Sequence, residues 1–176
     1  MECLLDEAVR VAILTEKRRH EMYRKMARLA GDDHARNLFG RLAEEEASHL
    51  AAFLEVYPGN RCKLNNALLK QVTLAGEHYQ SQAEGNDAPG LKQDALQLLI
   101  REAQACIDLY APFVSCLKEK RLCALFQRAL EYTNRHVEAM KEEYHRITGQ
   151  NAIPGIMTEP SATDALSPPW GGTSER

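Results

Sequence analysis

The chain has 176 residues, 44% of them hydrophobic, with four Phe and one Trp, enough for one well-buried domain and too little for two. Lys and Arg total 22 against 25 Asp and Glu, a net charge of -3 that offers no polycationic face to a phosphate backbone and argues against a nucleic-acid partner. The opening residues carry Glu2, Asp6 and Glu7 rather than a basic and then apolar leader, and no run reaches the roughly 18 apolar residues that cross a bilayer, so a soluble, cytoplasmic protein with no membrane partner is expected.

Apolar residues recur at helical spacing through Ala8, Val11, Ala12, Leu14, Met22, Tyr23, Met26 and Leu29 and stop at Gly31, which predicts a first helix over about residues 3–30. Asp32 and Asp33 are suited to cap a second helix, which carries Leu38, Phe39, Leu42, Ala43, Leu50 and Phe53 as far as Tyr57-Pro58-Gly59. The turn between the two is short, so they should pair antiparallel. From Asn60 to Gly90 the signal weakens: residues 64–82 have some helical character, Glu84 to Gly90 reads as a loop, and the whole stretch is expected to be a long crossover. Leu91, Ala95, Leu98, Leu99, Ile107 and Tyr110 mark a third helix, which Pro112 should bend near Asp108. Leu122, Leu125, Phe126, Leu130, Val137 and Met140 mark a fourth, ending before Gly149. Residues 150–176 contain Pro154, Pro160, Pro168 and Pro169 with no apolar period, and read as a disordered tail; Trp170 would anchor it if it docked on a partner. The expected fold is all-α, an antiparallel four-helix bundle over residues 1–149 with the long crossover between its second and third helices.

Sliding the chain against itself by 87 positions superposes Ile13 on Ile100, Tyr23 on Tyr110, Leu38-Phe39 on Leu125-Phe126, Arg41 on Arg128, Glu44 on Glu131, His49 on His136 and Tyr57 on Tyr144. Shared apolar periodicity explains Leu on Leu, but not coincident His, Arg and Tyr pairs, so the halves at about 3–57 and 91–147 read as a duplicated helical hairpin. The same offset places the turn between the third and fourth helices around Lys118-Glu119, where no Gly or Pro marks it.

Glu46 and His49 form E-x-x-H, and a spacing of three puts both on one face of the second helix. Glu16 sits on an otherwise apolar stripe of the first. A carboxylate from one helix and Glu-x-x-His from its neighbour are oxygen and imidazole donors suited to a metal ion inside helices. The plainer alternative is that Glu44-Glu45-Glu46 is a solvated acidic face. Cys3, Cys62, Cys106, Cys116 and Cys123 contain no C-x-x-C pair, which argues against a disulfide framework, a zinc knuckle and an iron–sulfur or rubredoxin-type site. Cys106 reads as a small buried hydrophobe, His20 as a core histidine bonded to Glu16, and Tyr23 and Tyr110 as core residues whose hydroxyls reach the site.

Ala12-Ile13-Leu14-Thr15-Glu16-Lys17 with Tyr23, followed by Leu42-Ala43-Glu44-Glu45-Glu46-Ala47-Ser48-His49, resembles the rubrerythrin branch of the ferritin-like superfamily. The resemblance implies a ferritin-like bundle with a metal site at Glu16, Glu46, His49 and His136, oxidoreductase action on peroxide or dioxygen, and homodimerisation. It also implies a second-half set with a Glu seven residues before Tyr110, another three residues later, and Glu-x-x-His on the last helix. Ala103, Cys106 and Thr133 stand at those carboxylate positions, and only His136 remains. Two carboxylates neutralise one divalent ion but not two, so a mononuclear iron site is expected rather than a di-iron one, with manganese or zinc also accepted by the donor set. An external electron donor would be required, because the chain has no rubredoxin-type cysteine pairs. The alternative is a non-catalytic bundle that has lost its centre and serves as an interaction or assembly module, with Glu16, Glu46 and His49 paired among themselves.

Overall fold

The computed structural model of the chain describes residues 2–60, 64, 89–150 and 152–156. Among these residues there are four helices and no strand: α1 (Glu2–Leu29), α2 (Asp33–Val56), α3 (Pro89–Cys116) and α4 (Lys120–Thr148). The readings of 64–82 as partly helical and of Trp170 as an anchor lie outside the described residues, apart from Leu64, which is buried. Of the stretch from Glu84 to Gly90 read as loop, residues 84–88 lie outside them, while Pro89 and Gly90 belong to the first turn of α3, a position where the missing N–H of proline costs no helix bond.

The helix ends follow from local chemistry. Asp32 is extended and its side chain accepts from the Ala35 N–H at 2.8 Å, which satisfies one of the amides that a helix start leaves without a partner. Three residues, Leu117 to Glu119, join α3 to α4, and Glu119 accepts from the N–H groups of Arg121 and Leu122. A carboxylate thus makes the turn that neither Gly nor Pro marks. At the far end Gly149 is left-handed (φ 69) and its N–H donates to His145 O, a geometry open to glycine at no steric cost. Helix α3 continues through Pro112 to Cys116.

α1 packs chiefly on α2, and α3 on α4. Their inward faces form two apolar clusters. One is built from Ala8, Val9, Ala12 and Ile13 of α1, Phe53 of α2, Tyr57, Cys106 and Tyr110 of α3, and Leu122, Phe126 and Ala129 of α4. The other takes Met22 and Tyr23, then Leu38, Phe39 and Leu42, then Leu96, Leu99, Ile100 and Ala103, and finally Val137, Met140 and Tyr144. Each fully buried Phe, Leu or Ile here stabilises the fold by about 1.5–3 kcal/mol.

Residues 152–156, the start of the stretch read as tail, pack on the helices. Ile153 is buried in the second cluster, and Pro154 O accepts from Arg101 Nη2 at 3.2 Å. None of the described helices is long and apolar enough to cross a membrane.

Candidate metal centre

Between the two apolar clusters lies a layer of polar side chains. α1 supplies Glu16 and Arg19, three residues apart and therefore on one face; α2 supplies Glu46 and His49 at the same spacing; α4 supplies Thr133 and His136. α3 supplies no charged group to the layer, since its facing residues are Ala103 and Cys106. Glu16 and Glu46 are 0% exposed, Arg19 3% and His49 5%, so the layer is shut off from bulk water.

Glu16, Glu46 and His49 converge. One oxygen of each carboxylate and one ring nitrogen of His49 all lie within 4.8 Å of one another, the size of a shared cation position. His49 Nδ1 is 3.5 Å from Glu16 Oε2 and 4.0 Å from Glu46 Oε2. Glu16 Oε1 accepts from the Tyr110 hydroxyl at 2.6 Å, and the His49 ring meets the edge of Tyr132 with centroids 4.8 Å apart. Glu16 Oε2, Glu46 Oε2 and His49 Nδ1 are buried without a hydrogen-bond partner, and Glu46 Oε1, which also lacks one, is ion-paired with Arg19. Buried polar atoms without a hydrogen bond cost on the order of 1–3 kcal/mol each, and one from each of these three residues converging on a single position is the donor set that a metal ion would satisfy. The group fits a divalent cation through two carboxylates and one imidazole.

Arg19 is the member that sequence reasoning missed. Its Nη1 donates to Thr133 Oγ1 at 2.8 Å and to Cys106 Sγ at 3.3 Å, and its Nη2 donates to Tyr23 Oη at 3.3 Å. Nη2 also lies 2.7 Å from Glu46 Oε1, an ion pair whose N–H bonds are not aimed at the oxygen, which is why that oxygen still lacks a hydrogen bond. The signal that would have found Arg19 is its place on the inward face between Glu16 and Tyr23, and its alignment with Cys106 under the 87-residue offset.

His136 is placed beside Glu46 rather than within the three-residue cluster. Its Nδ1 is 2.9 Å from Glu46 Oε1 and 3.2 Å from Arg19 Nη2, while its Nε2 is 2.7 Å from Glu45 Oε2. Arginine can only donate, so Nδ1 is the acceptor and Nε2–H donates to Glu45. Burial lowers the His136 pKa to about 4, with Glu45 opposing and the Arg19 charge reinforcing, so the ring is neutral at pH 7. His20 bonds to the backbone, Nδ1 to Ala43 O at 2.8 Å, and not to Glu16.

The two carboxylates are driven apart. Burial works to raise Glu16, but the Glu46 carboxyl, His49, Arg19 and Tyr110 together hold it down at about 2. Glu46 is pushed well above the ordinary range by burial and by the Glu16 charge, against the opposing charge of Arg19. Burial also raises the Cys106 thiol to about 11 and Tyr23 to about 12. Neither is an anionic ligand at neutral pH.

Compared with known proteins, the chain matches no family model, no curated protein and no solved structure.

Proposed function

We propose that the chain is a rubrerythrin-like metal-binding protein, an antiparallel four-helix bundle of the ferritin-like kind whose Glu16, Glu46 and His49 hold iron or manganese, with zinc also accepted by the donors. What supports the reading is the convergence within 4.8 Å of one donor atom each from Glu16, Glu46 and His49, with Glu16 Oε2, Glu46 Oε2 and His49 Nδ1 buried and without a hydrogen-bond partner.

The antiparallel arrangement is supported by the order in which each helix meets the two clusters. α1 passes from the Phe53 cluster to the Met140 cluster and α2 passes back; α3 then starts at the Met140 cluster, as α2 did, and α4 returns. Two successive helices with the same direction need a connection as long as the bundle, which fits a crossover over the residues between Val56 and Pro89.

Bound at this site, a redox-active ion would supply electron transfer to peroxide or dioxygen, fed by an external donor. The residues of the chain do the rest. Tyr110 fixes Glu16 by holding Oε1 and leaving Oε2 free, Tyr132 sets the plane of His49, and the apolar clusters on either side exclude water.

The test is metal analysis of protein purified without added metal, with Glu46→Ala as control. About one equivalent of iron or manganese in the wild type and none in the variant is the expected result. A metal-free wild type that also fails to take up added Fe2+ or Mn2+ would favour the alternative, a non-catalytic helical module used for interaction or assembly.

A further inference from the structure

The 87-residue offset carries Glu16, Arg19, Glu46 and His49 onto Ala103, Cys106, Thr133 and His136. The interior therefore has two related halves of unequal chemistry. The first presents two carboxylates and an imidazole that converge within 4.8 Å. The second presents a methyl group, a thiol, a hydroxyl and an imidazole, and no carboxylate. Arg19 starts in the first half and ends in the second: its guanidinium bonds to Cys106 and Thr133 and faces His136, three of the four counterpart residues.

We propose that the Arg19 guanidinium is a resident cation in the position that duplication would otherwise have offered to a second ion, so that the protein takes one divalent ion at Glu16, Glu46 and His49 and has no place for another. This rests on the metal-binding reading above.

Three observations converge on it. The space is filled, because Arg19 is 3% exposed and reaches across the interior to side chains on α3 and α4. The polar atoms there are already engaged: Thr133 Oγ1 accepts from Arg19 and donates to Ala129 O at 2.9 Å, His136 Nδ1 accepts from Arg19, and His136 Nε2 is turned to Glu45. The charges also count against a second ion. With both ionised, Glu16 and Glu46 bring two negative charges to the buried layer and Arg19 already brings one positive, so a single divalent ion meets all the negative charge the layer offers. A second divalent ion would leave an uncompensated excess beside a guanidinium in a water-poor interior.

Guanidinium also differs from a metal ion in permanence. It does not deprotonate in proteins and cannot be chelated away, so half of the layer keeps its positive charge whatever the metal supply. Its planar fork reaches several acceptors at once, which an ammonium on a Lys stem would not do in the same plane.

Titration of the full chain with Mn2+ and with Zn2+, read by calorimetry and by metal content after desalting, tests the proposal. One equivalent is expected for the wild type. Ala103→Glu with Thr133→Glu rebuilds the second half as a copy of Glu16 and Glu46 beside His136; with Arg19 retained it should still take one equivalent. Adding Arg19→Gln to that pair should raise the stoichiometry to two. Two equivalents in the wild type, or in the double variant that keeps Arg19, would overturn the proposal, as would one equivalent in a triple variant with native helical content. Should the triple variant not fold, Arg19→Gln alone decides: removing the neighbouring cation should tighten binding of the single ion roughly tenfold or more, and an unchanged Kd would refute the role. A wild type that binds no ion removes the metal-binding reading, and this inference with it.

Discussion

Tyr110 of α3 donates its hydroxyl to Glu16 Oε1 of α1 at 2.6 Å, and Tyr23, its counterpart under the offset, instead accepts from Arg19. One residue type at equivalent positions therefore steadies an anion in one half and a cation in the other. Tyr110→Phe removes the donor while keeping the ring against Phe53 and Phe126. The expected cost is about 1–3 kcal/mol of stability, from a buried carboxylate oxygen left bare, and a roughly 10–100-fold loss of metal affinity. Urea unfolding and metal titration measure the two effects, and an unaltered affinity would show that Tyr110 does not orient the ligand.

Cys106 should behave as an inert thiol. It is 3% exposed, and burial holds its pKa near 11, with Arg19 pulling in the opposite direction. Because the thiolate is the nucleophile, the protonated form at pH 7–8 does not alkylate. In the native protein iodoacetamide should modify exposed Cys116 and spare Cys106, which reacts once urea is added. Peptide mass spectrometry reads this directly, and rapid native labelling at Cys106 would contradict the packing described.

Asp32 gives a pH-dependent contribution whose sign is fixed. The Ala35 N–H and the Arg146 guanidinium bind its two oxygens and hold its pKa below the ordinary 3.8. A carboxyl lowered on folding contributes stability above its unfolded value and loses it as pH falls through the folded one. Asp32→Ala should cost about 1 kcal/mol at pH 7, a Tm drop of about 2–4 °C. The gap between variant and wild type should narrow as pH is taken from 7 to below 3.8. An equal gap at both pH values would mean that the charge of Asp32 is irrelevant to its capping.

Gly40 lies inside α2, and a Cβ there would meet nothing within 4 Å. Gly40→Ala removes backbone freedom from the unfolded chain without a clash, and should stabilise by about 0.5–1 kcal/mol. Thermal denaturation checks it, and a lowered Tm would show that the position is crowded.

The helices and the three converging side chains were legible because each leaves a periodic mark. The stripe from Ala8 to Leu29 and the stops at Gly31 and Tyr57 outline α1 and α2 to within a residue or two. Glu16 on an apolar stripe and the three-residue spacing of Glu46 and His49 place them together, as the structure does. Arg19 was hidden because a basic residue among Lys17, Arg18 and His20 looks like solvated helix surface, and only its depth separates it from Arg18, which pairs with Glu102 at the exterior. His20 was expected to turn to Glu16. It sits one position further round the helix than Arg19, about 100° away, and meets the Ala43 carbonyl instead. Ile153 left no signal, since a single apolar residue among Pro and Gly has no period to detect.

The charged layer also fixes how the helices may slide. Glu16, Arg19 and Glu46 sit at one level with hydrocarbon on either side, so a one-turn slip of α1 along its neighbours would carry a carboxylate or a guanidinium into the Ile13 and Phe53 packing or into that of Met22 and Phe39. An isolated charge in such surroundings costs several kcal/mol. Leucine and alanine stripes tolerate many alignments with similar energies; here the ionic rung behaves as a vernier mark, and only one axial setting brings it into line.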